Sequence, residues 1–171
     1  MKRYFIGMLA VMLVLSTFLM VRSASAKETK ILEFGTMVGV PRPFTGATNA
    51  IRGVPGGGLP WVIGFAEGEL KANGELDVKV SGLVIDPNDP TAISRGVGGI
   101  NPAGNFKAAV SCLSKDANGN AVTVNVSTAT FPTDTAGNTE IEATVMLPSP
   151  CIAPIVFVTS GGGAWFAATG N

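Results

Sequence analysis

The sequence contains no histidine, and its one tyrosine, Tyr4, lies close to the first residue. Histidine is the usual general base of serine and cysteine nucleophiles and a common ligand of zinc and copper. Its absence excludes Ser-His-Asp and Cys-His catalysis and histidine-ligated metal sites. We therefore expect a protein that is not an enzyme and that uses no cofactor and no metal.

Basic residues are few, and no run of them resembles a nucleic-acid-binding stripe. Three of the twelve lie within residues 1–26, so residues 27–171 carry nine basic and twelve acidic side chains, a net charge of −3 (9 − 12). A surface with this charge does not attract a phosphate backbone. Nucleic acid is therefore not expected as a partner.

Residues 1–26 have the layout of a secretory signal peptide. A short basic start precedes the apolar run 4–21, and Ala-Ser-Ala at 24–26 forms a small-residue cleavage site. We expect cleavage before Lys27, leaving residues 27–171 as one domain without a membrane span. The alternative is an uncleaved anchor helix, because a run of this length can just cross a bilayer. The leader predicts a secreted or cell-surface protein, or a periplasmic one if the host has an outer membrane.

Cys112 and Cys151 are the two cysteines, and both follow the leader. In an oxidising compartment two such cysteines pair by default. A metal pair or a redox Cys-x-x-Cys motif is the alternative, but the spacing does not fit that motif and no histidine is present. We expect a structural disulfide that stabilises the fold by about 4 kcal/mol at most.

Residues 61–85 alternate apolar and polar side chains around Ala72-Asn73-Gly74, which predicts a β-hairpin. A two-residue turn would place Leu70 opposite Asp77. A three-residue loop with Gly74 in the left-handed region avoids that mismatch. The predicted pairs are Lys71–Glu75, Leu70–Leu76, Gly68–Val78, Glu67–Lys79 and Ala66–Val80, with Trp61 opposite Ile85. The predicted apolar face is Val62, Ala66, Leu70, Leu76, Val78, Val80 and Val84.

Two long segments rich in proline and glycine, 41–60 and 86–105, flank the hairpin, and we expect both to be irregular. The three arginines after the leader, Arg42, Arg52 and Arg95, all lie in these segments. Because the two ends of the hairpin are opposite one another, both segments leave the sheet at the same end. We therefore expect the three guanidinium groups to gather there.

Two interpretations of this end of the hairpin are open. In one, the long segments fold back over an apolar patch around Trp61, and the arginines bond loop carbonyls, Asp86 or Asp89. In the other, the same end is a recognition surface for a carboxylate, a sulfate or a sugar acid. The candidate residues of that ligand surface are Arg42, Phe44, Arg52, Trp61 and Arg95.

The rest of the chain predicts short strands in quick succession. They are expected at 31–40, 106–115, 121–131, 139–147, 152–159 and 164–169. A second Ala-Asn-Gly turn pairs Ser114 with Val122, Cys112 with Val124 and Val110 with Val126. Strand 152–159 is apolar on both faces and is expected at the centre of a sheet. About eight strands without a helical period predict an all-β antiparallel sandwich, Ig-like or Greek-key, with a barrel as second choice.

Two stretches carry a resemblance to known proteins. PWVIGFAEGELKANGELDVKVSGLVI at 60–85 and CIAPIVFVTSGGGAWFAATG at 151–170 resemble small exported bacterial proteins with one cysteine pair. Residues 68–83 are also similar to chordin-type (CHRD) secreted domains, although the histidines of that family are absent. The resemblances imply a secreted β domain and transfer no binding site.

Acidic residues provide the remaining candidates for chemistry. Glu67 and Glu69 share one face of a strand, which allows a carboxylate-pair hydrolase, although a solvated sheet face is the favoured interpretation. Residues 116–120 and 86–89 have weakly calcium-like spacing, for which hairpin and Asx turns are the favoured explanation.

These observations favour a non-catalytic secreted or cell-surface protein with a binding or structural role. An anionic glycan or another surface protein is the expected partner. A small secreted hydrolase that uses carboxylates alone is the alternative. A third possibility is a subunit that adds strands through exposed edges at 31–40 and 164–169.

Overall fold

The computed structural model describes residues 28–170, and the predicted leader lies outside them. The elements, in chain order, are β1 (Lys30–Phe34), β2 (Met37–Gly39), β3 (Trp61–Val62), β4 (Phe65–Lys71), β5 (Glu75–Ser81), β6 (Val84–Ile85), α1 (Pro90–Arg95), β7 (Asn105–Lys115), β8 (Ala121–Ser127), β9 (Phe131–Pro132), β10 (Thr139–Thr144), β11 (Ile152–Ser160) and β12 (Trp165–Thr169). Eight of these strands have five or more residues, as the sequence predicts.

The smaller sheet has the order β1-β4-β5-β10 and is antiparallel throughout. Its centre is the predicted hairpin, in which Leu70 pairs with Leu76 and Ala66 with Val80. Gly74 has a φ of +90° and donates to the carbonyl of Lys71 at 3.0 Å. The three-residue loop and its register are therefore confirmed.

The larger sheet has the order β2-β12-β11-β7-β8, with β9 also paired to β7. The second Ala-Asn-Gly tip is confirmed, because Cys112 pairs with Val124 and Val110 with Val126. Strand β11 lies between β12 and β7, the central position predicted for 152–159. The predicted disulfide is present, with Cys112 and Cys151 Cα atoms 4.9 Å apart.

The two sheets form a sandwich around one apolar core. Its fully buried side chains come from both sheets, among them Leu70, Val78, Phe106, Val110 and Phe157. Each sheet ends in strands that have a single partner, so neither closes on itself. The all-β antiparallel sandwich is thus confirmed, and the second choice, a barrel, is wrong.

The segments expected to offer free edges are arranged differently. Residues 31–40 do not form one strand: β1 belongs to the smaller sheet and β2 to the larger, so the chain crosses between sheets around Gly35. Strand β12 has β2 on one side and β11 on the other. The prediction that 164–169 is an edge is therefore wrong.

At the open end of the hairpin, the side chains that point to the core differ from those predicted. β3 and β6 pair Trp61 with Ile85 as expected, but in a separate two-stranded sheet. Gly82 takes a φ of +70°, and beyond it Leu83 and Ile85 are buried together with Trp61. Val62 is 38% exposed, so the prediction that it points inward with Val84 is wrong.

Segment 86–105 contains a short helix where an irregular loop was expected. Asp89 caps α1 by accepting from the N–H groups of Thr91 and Ala92, both at 3.0 Å. Pro90 starts the helix, and Gly96 ends it in the left-handed conformation with a φ of +66°. Within residues 28–170 no helix is long and apolar enough to cross a membrane.

Candidate functional site

The two long segments meet at the open end of the hairpin. The backbone N–H of Asp86 donates to the carbonyl of Pro60 at 2.9 Å. The Arg42 guanidinium lies 2.8 Å from the Asp89 carboxylate and donates to the Thr91 hydroxyl at 3.3 Å. The prediction that both segments leave the sheet at one end agrees with these contacts.

The Asp89 carboxylate connects these segments because both of its oxygens accept hydrogen bonds. Oδ1 caps α1, and Oδ2 accepts from Nε of Arg42 at 2.9 Å. Burial raises the pKa of Asp89, which is 5% exposed, but the bonds from Arg42 and from the N–H groups of Ala92 and Thr91 lower the pKa by more. The pKa of Asp89 therefore lies below the ordinary aspartate value of 3.8. The carboxylate is therefore held in its charged form.

Arg42 forms one wall of a cleft of about 590 Å³, which we call the Arg42 cleft. Its lining includes Val38, Pro41, Arg42, Trp61, Val62 and Asn88. Val38 is 57% exposed, and the Arg42 side chain is 53% exposed. Nη1 of Arg42 has no bonding partner within residues 28–170. The cleft thus combines a half-exposed guanidinium and apolar walls with the carboxylates of Asp86 and Asp89, the second of which is paired with Arg42.

Trp61 lies at the base of this cleft and is almost fully buried. Its ring stacks on Phe166 with centroids 3.9 Å apart, and the residue is 5% exposed. Phe106 contacts it edge-on at 6.3 Å. The expectation that Trp61 offers a flat face to a ligand is corrected, because that face is used in the core.

Arg52 is bound to strands of the larger sheet, outside the Arg42 cleft. Its Nη1 donates to the carbonyls of Ser111 at 3.0 Å and Ala153 at 2.8 Å. The side-chain amide of Asn125 donates to the Arg52 carbonyl at 3.0 Å. Segment 41–60 therefore covers the outer face of this sheet, a role that the sequence analysis missed.

The remaining candidates, Phe44 and Arg95, lie outside the cleft lining too. Phe44 lines a neighbouring groove of about 210 Å³ with Ile51 and Trp165. Arg95 is exposed at the end of α1 and makes no side-chain bond within the described chain. The prediction of one surface with three guanidinium groups is corrected: Arg42 alone lines the cleft.

Lysines lie beside Glu67 and Glu69, the two carboxylates of the suggested pair, on the outer face of the smaller sheet. Glu69 lies 2.6 Å from the ammonium of Lys30 and 3.8 Å from that of Lys71. Glu67 is opposite Lys79. These contacts are those of a charged sheet face, the favoured interpretation of these residues.

The calcium-like segments form turns. Asp116 Oδ1 accepts from the backbone N–H groups of Asn118 and Asn120, both at 2.9 Å. Asp86 Oδ1 accepts from the N–H of Asn88 at 2.8 Å. Within residues 28–170, no group of three Asp, Glu, His or Cys side chains is arranged to hold a metal ion.

No protein-family model, curated protein or solved structure matches this chain. The resemblances to small exported bacterial proteins and to chordin-type domains therefore stay predictions.

Proposed function

We propose that this is a non-catalytic, exported β-sandwich protein that binds an anionic ligand, such as an acidic glycan, in the Arg42 cleft. The observation that carries the proposal is the half-exposed Arg42 guanidinium, whose Nη1 has no bonding partner within residues 28–170, in a cleft that is also lined by Val38 and Val62. A sugar acid presents both a carboxylate and an apolar ring face, and these groups match the two kinds of wall.

Export is supported by two independent features. The Ala-Ser-Ala sequence at 24–26 follows a basic start and an apolar run, as at a signal cleavage site. The Cys112–Cys151 disulfide is typical of oxidising compartments. We infer a protein that acts outside the cytoplasm, in the extracellular space, at the cell surface or in a periplasm.

Binding is tested with acidic and neutral oligosaccharides of matched length, including uronic-acid and sulfated chains. We expect the wild type to bind the acidic chains, and Val62→Glu to weaken binding at least about tenfold by adding a third carboxylate to those of Asp86 and Asp89 in the cleft. Ile93→Glu makes a similar change at a 62% exposed site outside the cleft lining and should bind like the wild type.

Both variants change exposed side chains, so equal melting temperatures are expected. Wild-type protein that binds no acidic chain, or Val62→Glu protein that binds as tightly as the wild type, contradicts the proposal. A preference for neutral chains contradicts the role given to Arg42.

A further inference from the structure

Strand β8 is an open edge of the larger sheet, because it pairs with β7 alone. Thr128 N–H donates to the carbonyl of Ala108, and Asp116 N–H to that of Asn120. Hydrogen-bonded and non-bonded pairs alternate along an antiparallel ladder, so the even-numbered residues of β8 bond β7. The backbone groups of the odd-numbered residues point to the open side, where no other described segment bonds them. These residues are Ala121, Thr123, Asn125 and Ser127.

The composition of β8 does not protect this edge. Its seven residues, AVTVNVS, include neither a charged residue nor a proline. The edge strands of the smaller sheet carry charges, Lys30 and Glu33 in β1 and Glu140 and Glu142 in β10. The other edge strand of the larger sheet, β2, has three residues. Charges and short length are the usual means of preventing edge-to-edge pairing, and β8 has neither.

The sequence of β8 is complementary to itself in one antiparallel register. Pairing about a two-fold axis at Val124 places Val122 opposite Val126 and Val124 opposite its own copy. The half-buried valines then share one face. On the exposed face Thr123 lies opposite Asn125, and Ala121 lies opposite Ser127. In this register the four outward residues of each copy form the hydrogen-bonded pairs, so the two strands exchange about eight bonds.

We propose that two copies of this chain join through β8, giving one continuous sheet across a two-fold axis at Val124. Each copy offers one such edge, and the pairing uses the same strand on both copies. The interface therefore closes at two chains and leaves no further β8 edge for a third. This interface goes beyond ligand binding, since β8 contributes no residue to the lining of the Arg42 cleft.

The test is sedimentation velocity of the purified protein over a range of concentrations, with two matched proline variants. Thr123→Pro removes an N–H that points to the open side and places a ring in the interface, so no bond within the chain is lost. Thr144→Pro is the control. Val145 N–H bonds Gly74, so by the same alternation Thr144 N–H points to the open side of β10.

We expect a dimer for the wild type and for Thr144→Pro, and a dissociation constant at least about a hundredfold higher for Thr123→Pro. A wild-type chain that stays monomeric, including one that pairs instead with an extended segment of another protein, overturns the proposal. So does a folded Thr123→Pro protein that dimerises like the wild type.

A charge exchange tests the register and remains decisive if Thr123→Pro does not fold. Thr123→Lys/Asn125→Lys places like charges opposite one another across the axis, and Thr123→Glu/Asn125→Glu does the same with the other sign. We expect each variant to be monomeric alone and an equal mixture to form a mixed dimer. Variants that dimerise alone, or a mixture that stays monomeric, contradict this register.

Discussion

Arg42 and Asp89 lie 47 residues apart in the sequence, and the guanidinium reaches one carboxylate oxygen through Nε at 2.9 Å and Nη2 at 2.8 Å. The other oxygen of Asp89 caps α1. One side chain thus holds the helix start and links segment 41–60 to segment 86–105. The wall of the Arg42 cleft depends on this link.

Asp89→Asn should separate the two roles of this carboxylate. Asparagine can still cap α1, but its amide cannot accept two charged bonds from Arg42, so we expect a lower melting temperature at neutral pH. The folded pKa of Asp89 is depressed, so the stability it contributes is present above 3.8 and is lost as the pH falls through the folded value. The difference in melting temperature between wild type and variant should therefore shrink in acid.

The matched control for this experiment is Arg95→Ala, which removes a guanidinium that has no side-chain partner in the described chain. It should leave the melting temperature and its pH dependence unchanged. A constant difference between wild type and Asp89→Asn down to strongly acidic pH would show that the Arg42 contact does not stabilise the fold.

The two Ala-Asn-Gly tips provide a second prediction. Gly74 and Gly119 have φ values of +90° and +84°, so alanine is strained at both. At Gly119 an added methyl group meets open space, and we expect a loss of about 1 kcal/mol. At Gly74 the methyl group would overlap the carbonyl oxygen of Val145. Urea unfolding should therefore show a clearly larger loss for Gly74→Ala, and equal losses would contradict the close approach of Val145.

Both hairpin registers could be predicted from the sequence because each depends on a few neighbouring residues. Gly74 and Gly119 supply the left-handed position that closes a three-residue loop, and the alternation of side chains fixes the pairing from there. The central position of strand 152–159 could also be predicted, since a strand that is apolar on both faces is covered on both. The disulfide required only two cysteines and an oxidising compartment.

The other contacts could not be predicted from neighbouring residues in the sequence. Arg52 donates to carbonyls 59 and 101 residues away, and no pattern around Arg52 indicates them. Residues 31–40 are apolar enough to predict a single strand, although the chain changes sheets within them. The helix α1 did have local signals, Asp89-Pro90 at its start and Gly96 at its end, but proline and glycine in the same segment also indicate an irregular loop.

Ser111 offers a third prediction. Its Oγ is fully buried beneath segment 41–60 and has no hydrogen-bond partner within the described residues. Burying an unsatisfied hydroxyl costs free energy, so Ser111→Ala should leave stability unchanged or raise it by up to about 1 kcal/mol. Ser81→Ala is the matched control, because Ser81 donates to Asn138 at 2.6 Å and its loss should destabilise. A loss for Ser111→Ala as large as that for Ser81→Ala would indicate a bond to Ser111 Oγ.

The outer face of the smaller sheet contains a row of like charges. Glu33 is paired with Glu69, Glu69 with Asp77, and Asp77 with Glu142, so four carboxylates lie side by side across four strands. Burial raises the pKa of Asp77, and the charges of Glu140, Glu69 and Glu67 raise it further, against the opposing effect of Lys79. The charged form of Asp77 is therefore unfavourable in the folded protein.

Asp77→Asn should stabilise the protein at neutral pH by a few tenths of a kcal/mol, because it removes the repelling charge from the centre of this row. Since the folded pKa of Asp77 is raised above 3.8, its carboxyl favours the folded state while protonated, and this advantage is lost as the pH rises through the folded value. The gain in stability from Asp77→Asn should therefore appear as the pH rises above the folded pKa of Asp77. The gain should decrease with added salt. Urea unfolding across this pH range checks both, and a variant less stable than the wild type at neutral pH and low salt would show that Asp77 is favourably paired.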